Sequence, residues 1–177
     1  MKRLLAGLIL GGWLLVAVSP ASADSISLSL DVPATYSVKD ATLTDAKASG
    51  VLVGVSLPFL VGFGYDSFKV TGKIGGTTAF EQKASLLDVF LDLPLPILNI
   101  RLGAGVGKAT LEAPTGTGSY PKATLTQLFV NLGYPILPLF DVHLGYRVLG
   151  GDTVNSSSLT RVDLGAKMVT LGVKVGF

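Results

Sequence analysis

From Ser25 to Phe177 the chain repeatedly alternates apolar and polar residues with a period of two. That spacing puts one residue type on each face of an extended strand. In the first such stretch Ile26, Leu28, Leu30 and Val32 oppose Ser25, Ser27, Ser29 and Asp31. The second sets Val51, Val53, Val55, Leu57 and Phe59 against Gly50, Leu52, Gly54 and Ser56. The third sets Val61, Phe63 and Tyr65 against Gly62, Gly64 and Asp66. In the fourth, Leu87, Val89, Leu91 and Leu93 oppose Leu86, Asp88, Phe90 and Asp92. In the fifth, Leu98, Ile100, Leu102, Ala104 and Val106 oppose Asn99, Arg101, Gly103, Gly105 and Gly107. The sixth opposes Leu128, Val130, Leu132 and Tyr134 to Gln127, Phe129, Asn131 and Gly133. The seventh opposes Phe140, Val142, Leu144, Tyr146 and Val148 to Asp141, His143, Gly145 and Arg147, and the eighth runs from Met168 to Phe177.

Three Pro-rich segments join these stretches in pairs: Leu57-Pro58-Phe59, Pro94-Leu95-Pro96-Ile97 and Pro135-Ile136-Leu137-Pro138. Proline cannot donate to a strand ladder, so it belongs at strand ends, and these segments predict tight hairpin turns. Between them lie longer stretches rich in Gly, Thr, Ser and Asp, at about residues 33–47, 72–82, 109–121 and 150–160. These predict four loops. Four loops and three turns connect eight strands, with short connections at one end and long ones at the other, as in bacterial outer-membrane barrels. An even number of strands returns both termini to the turn end.

Alternation alone does not say which face is outside; composition does. Charged residues make up only 15% of the chain and mean hydropathy is +0.58. A water-facing outer surface would carry many Lys and Glu, whereas this polar face is mostly Gly and Ser with isolated charges. Beyond the N-terminal segment no continuous apolar run reaches the length of a spanning helix. A hydrophobic exported chain without such helices meets lipid as a closed barrel. The expected fold is all-β, an eight-stranded antiparallel transmembrane up-and-down β-barrel.

The export signal is at the N-terminus. Lys2 and Arg3 precede an apolar run from Leu4 to Val18, followed by Ser19-Pro20 and the small triplet Ala21-Ser22-Ala23. This is the pattern of a cleaved signal peptide, with residues 1–23 removed and 24–177 forming the barrel. Cleavage near Ala23 removes two of the 14 Lys and Arg residues and none of the 12 Asp and Glu, leaving a neutral chain. Neutrality argues against a nucleic-acid partner. The absence of cysteine excludes a disulfide framework, a thiolate metal site and a lipoprotein anchor.

The last strand, from Val169 to Phe177, resembles the C-terminal signal of outer-membrane proteins, with alternating hydrophobics and a terminal aromatic. In that signal the barrel assembly machinery recognises the aromatic end, here Phe177, although Val175 stands where a second aromatic is usual. The segments Leu102-Gly103-Ala104-Gly105-Val106-Gly107 and Asp141-Val142-His143-Leu144-Gly145-Tyr146-Arg147-Val148-Leu149-Gly150 are similar to the opacity-like and OmpA/OmpX-like small barrels. The resemblance implies an eight-stranded barrel in a Gram-negative outer membrane. It implies no single activity, since such barrels serve as anchors, adhesins and small channels.

Three constellations carry candidate chemistry. His143, the one histidine, shares its strand face with Asp141 and Arg147. A lipid-modifying hydrolase would need a serine beside the histidine, and position 145 is Gly. The competing expectation is a structural histidine bonded to Asp141 or Asn131. Second, Asp31, Asp66, Asp88, Asp92 and Asp141 face the interior with Arg101, Arg147 and Lys174. Buried ions must be paired or wet, so this set predicts either a salt-bridged plug or a narrow cation-preferring conduit. Arg101 is expected near Asp88 and Asp92. Third, Lys47, Lys69, Lys83, Lys108, Lys122 and Lys167 share the lipid-facing parity near the loop ends. They predict a basic ring at the outer-leaflet boundary, facing lipopolysaccharide phosphates; the alternative is lysine placed for solubility. No cofactor is expected. Tyr36 and Tyr120, in the predicted loops, are candidates for contact with an unknown surface ligand. The expected role is non-enzymatic and structural or surface-related, with a narrow porin-like channel as the alternative and a lipid A-modifying enzyme behind both.

Overall fold

In a computed structural model the chain is described at residues 26–40, 43–74, 76, 78–95, 97–112, 120–154 and 161–177. The expected leader at 1–23 lies outside these residues.

The described chain is all β, with nine strands: β1 (Ser27–Val38), β2 (Leu43–Ser56), β3 (Val61–Ile74), β4 (Thr78–Pro94), β5 (Asn99–Glu112), β6 (Ala123–Leu137), β7 (Phe140–Val154), β8 (Arg161–Asp163) and β9 (Ala166–Gly176). Each wall strand pairs antiparallel with its neighbour from β1 to β7; β9 then pairs with both β7 and β1 and closes the sheet. The wall therefore has eight strands and no free edge, as predicted. The short β8 adds only three rungs to the far end of β7, from Asp152 to Val154.

The turn end is as compact as the prolines demand. Leu57 N–H donates to the Val61 carbonyl at 2.8 Å and Leu95 N–H to the Leu98 carbonyl at 3.0 Å. Leu60 sits at φ 66°, a left-handed conformation rarely taken by a branched side chain, to complete the first turn.

The opposite end differs from expectation. Residues predicted as long loops continue the ladder: β1 runs to Val38, β3 to Ile74, β4 starts at Thr78 and β5 runs to Glu112. The reason is a change in the chemistry of the two faces at mid-height. Along β3 the inward residues are Gly62, Gly64 and Asp66, then Phe68 and Val70; outward are Phe63 and Tyr65, then Lys69 and Thr71. Inward parity continues unbroken, but the inner face turns apolar and the outer face polar. On β1 a bulge between Pro33 and Thr35 brings Tyr36 and Val38 into the inward register.

The interior thus has two storeys. Near the loop end Leu43, Leu52, Phe68, Val70, Phe80, Leu86, Leu111, Leu125, Leu149 and Met168 form an apolar core, with Tyr36 and Tyr120 packed against it. The expectation of a Gly-rich polar interior throughout, with these tyrosines free in loops, is corrected here. Toward the turn end the interior is polar and charged. Outside that lower storey Leu30, Val53, Phe63, Leu87, Leu102, Leu128 and Leu144 stand exposed in one continuous apolar wall.

Candidate functional site

Two sets of residues are candidates, the charged lower interior and the lysines of the outer wall.

In the interior, Arg101 and Asp92 are direct cross-strand partners of the β4–β5 hairpin. Arg101 donates from Nε to Asp92 Oδ1 at 2.6 Å and from Nη2 to Oδ2 at 3.0 Å, a two-pronged pair. Its remaining N–H groups reach Ser29 Oγ at 2.6 Å and Ser56 Oγ at 3.1 Å, and Ser56 in turn donates to Asp92. The guanidinium also lies 3.9 Å above the Phe90 ring.

One level higher, Arg147 donates to Asp66 Oδ2 at 2.7 Å and lies 3.6 Å from Asp88. Gln127 Nε2 bonds both carboxylates at 2.6 Å. Arg147 rests 4.3 Å from the Phe129 ring, and Phe129 meets Phe90 edge to face. The sequence Arg101, Phe90, Phe129, Arg147 therefore runs up the interior as one stack. Gly62 and Gly103 make room for it: a Cβ at either position would collide with the Phe90 or Phe129 ring.

His143 bonds neither Asp141 nor Asn131. Its Nε2 meets Asp31 Oδ1 at 2.8 Å across β9, and the Thr170 hydroxyl donates to the same oxygen at 3.3 Å. The rise along one strand separates residues 141 and 143 by nearly 7 Å, whereas Asp31 and His143 both flank Gly172, whose missing side chain lets them meet. Asp141 is instead held by Asn99 at 2.6 Å and Lys174 at 3.1 Å. Arg101 likewise finds Asp92 but not Asp88. The sequence identified the charges and not their neutral partners: Ser29, Ser56, Asn99, Gln127 and Thr170 were unremarkable because each is one polar residue among many of its parity.

Small voids lie among these described side chains. One of about 20 Å³ is lined by Asp92, Arg101, Asn131, Asp141, His143 and Lys174; another, of about 10 Å³, lies among Ser29, Asp66, Asp88 and Arg147. Each is the size of roughly one water.

On the outer wall Lys47, Lys69, Lys83, Lys108, Lys122 and Lys167 are all exposed. Lys69 and Lys83 are cross-strand partners. Like charges in that position repel, and Glu81 sits between them, 2.5 Å from Lys69 and 3.3 Å from Lys83; Lys83 also reaches Glu112 at 3.0 Å. The bond from Lys69 holds the Glu81 carboxyl below its usual range. Lys47, Lys108, Lys122 and Lys167 make no ion pair among the described residues. Between the lysines lies a shallow depression lined by Ser49, Ser67, Lys69, Lys83, Ser85 and Lys108. Phe177 stands 71% exposed at the turn end, its N–H bonded to the Ile26 carbonyl at 2.8 Å.

No family model matches the chain, and no curated protein matches its sequence. Solved structures do match its shape. The crystal structure of Neisserial surface protein A is similar at TM-score 0.61 and 16% identity, covering 86% of this chain and 97% of that one. Ail, the attachment invasion locus protein of Yersinia pestis, is similar at TM-score 0.51 and 18% identity, again over 86% and 97%. The chain has the fold of the small eight-stranded outer-membrane barrels. In barrels of this fold an apolar wall faces lipid, short turns lie at the periplasmic end and longer strand ends project outward. Among the described residues this barrel carries its charges in two places: buried and paired inside, or solvated above the apolar wall.

Proposed function

We propose that this outer-membrane barrel is a closed, non-conducting element of the cell envelope with a structural and surface role, and not an enzyme. The observation that carries this reading is the filled interior. Arg101, Phe90, Phe129 and Arg147 occupy the lower storey, and the apolar core from Leu52 to Met168 occupies the upper one. A cation conduit would draw on the excess of carboxylates over bases, but it also needs a water path, and voids of about 20 and 10 Å³ have room for about one water each. The engagement of His143 with Asp31 supports a structural histidine, since the nearby Thr170 hydroxyl is turned to Asp31 and is not aligned as a nucleophile. Planar-bilayer recording of the refolded protein is expected to show no discrete conductance; cation-selective steps would overturn the closed-barrel reading.

The same reading sets the exposed lysines of the ring against lipopolysaccharide phosphates, with their stems over the apolar wall. Exchanging Lys69, Lys108 and Lys122 for Gln is expected to weaken lipopolysaccharide binding in a salt-dependent way. Binding that is unchanged refutes the ring.

A further inference from the structure

The periplasmic end carries an unusual surface. Turns that face water normally carry Asn, Asp, Gly or Ser. Here the three turns read Leu57-Pro58-Phe59-Leu60, Leu93-Pro94-Leu95-Pro96-Ile97-Leu98 and Tyr134-Pro135-Ile136-Leu137-Pro138-Leu139, without one charge. Several of their side chains stand exposed: Phe59 is 85% exposed and Ile97 74%, with Leu95, Ile136, Leu137 and Leu139 also exposed. Five prolines in these turns remove backbone donors, and two of the remaining N–H groups are bonded within the turns. Such turns are apolar in their side chains and carry few backbone donors for their length, both of which suit a low-dielectric surrounding.

Length leads to the same place. A tilted strand needs roughly 9–11 residues to cross the hydrocarbon layer. On β4 the outward polar residues end at Ser85, and the ten residues 85–94 bring the wall down to the turn. Nothing is left over for a periplasmic projection, whereas the opposite end has residues 78–84 above the apolar wall. The ring of turns is continuous with the lipid-facing wall through Leu57 and Tyr134.

We propose that the three turns are seated in the interfacial zone of the inner phospholipid leaflet, so that the barrel is anchored in the bilayer by its own periplasmic rim. This rests on the outer-membrane reading and adds its depth and the partner of its lower end.

The chain's only tryptophan, Trp13, lies in the expected leader, so residues 24–177 give a silent background for single-tryptophan reporters. Phe59→Trp and Ile97→Trp are refolded into phosphatidylcholine vesicles, with Thr71→Trp on the projecting outer end as the water-exposed comparison. The turn reporters are expected to emit at shorter wavelength, to lose most of their emission to lipids brominated near the glycerol end, and to resist aqueous acrylamide. Thr71→Trp is expected to show the reverse. Turn reporters quenched by acrylamide as strongly as Thr71→Trp, and not by brominated lipid, would overturn the proposal and leave the apolar ring open to a periplasmic protein. If the Thr71→Trp reporter is itself shielded and lipid-quenched, it is the barrel's placement in the bilayer that fails.

Discussion

The two storeys of the interior obey one geometric rule and opposite chemical ones. Below mid-height, inward positions are Asp66, Asp88, Arg101, Arg147 and His143; above it, the same faces of the same strands carry Phe68, Val70, Leu86, Leu125 and Leu149. What changes is the outer solvent. Where lipid lies outside, the apolar residues are spent on the wall and the interior is held by ion pairs and side-chain hydrogen bonds. Where water lies outside, the hydrophobic effect again acts inward and the barrel is built like a soluble one. A single strand such as β4 makes this transition along its length, from Phe80 and Ala84 inside to Asp88 and Asp92 inside.

The contrast can be broken most strongly from below. Arg147→Met leaves Asp66 and Asp88 facing each other without their base, and removing one partner of a buried pair costs about 3–5 kcal/mol; urea unfolding in lipid vesicles reads the loss. In the upper storey Leu125, with no exposed surface, loses transfer energy and gains a cavity on Leu125→Ala, a cost of about 2–5 kcal/mol by the same assay. Arg101 pairs with Asn131, six residues down β6 from Leu125, about 20 Å along the strand. The losses of Arg101→Met and Leu125→Ala are therefore expected to add in the double variant within about 0.5 kcal/mol, and a large coupling would show that the storeys are one unit. The smallest effect belongs to the outer wall. Glu112→Gln removes one exposed partner of Lys83 and is expected to leave the urea midpoint unchanged, since such pairs are solvated on both sides.

Much of this architecture was legible in the alternation itself. The apolar parity from Ile26 to Val32 or from Leu87 to Leu93 identified strands, and the prolines at 58, 94 and 135 located the hairpins, because a wall facing lipid on one side tolerates no break in its pattern. The upper storey was hidden for the converse reason. Outward Lys73, Glu81, Lys83, Thr110 and Glu112 are polar, and the sequence around them carries turn-forming residues, so these stretches resemble loops unless Phe80, Leu111 and Leu125 are followed in register from the strand below. Site partners were the least legible part. His143 meets Asp31 and Arg147 meets Asp66 across strands far apart in sequence, and nothing in the local pattern records which interior groups the closed wall brings face to face.

That closed wall has a kinetic meaning. Residue 27 pairs with residue 176, so the seam between β1 and β9 joins the most distant strands of the described chain. Joining such remote segments adds only a logarithmic entropic cost, but it makes the search for the native pairing slow. Until the seam is made, β1 and β9 each present an unpaired row of donors and acceptors, the kind of edge on which chains aggregate. An assisting template that occupies one edge would therefore protect the chain during the interval when it is most vulnerable.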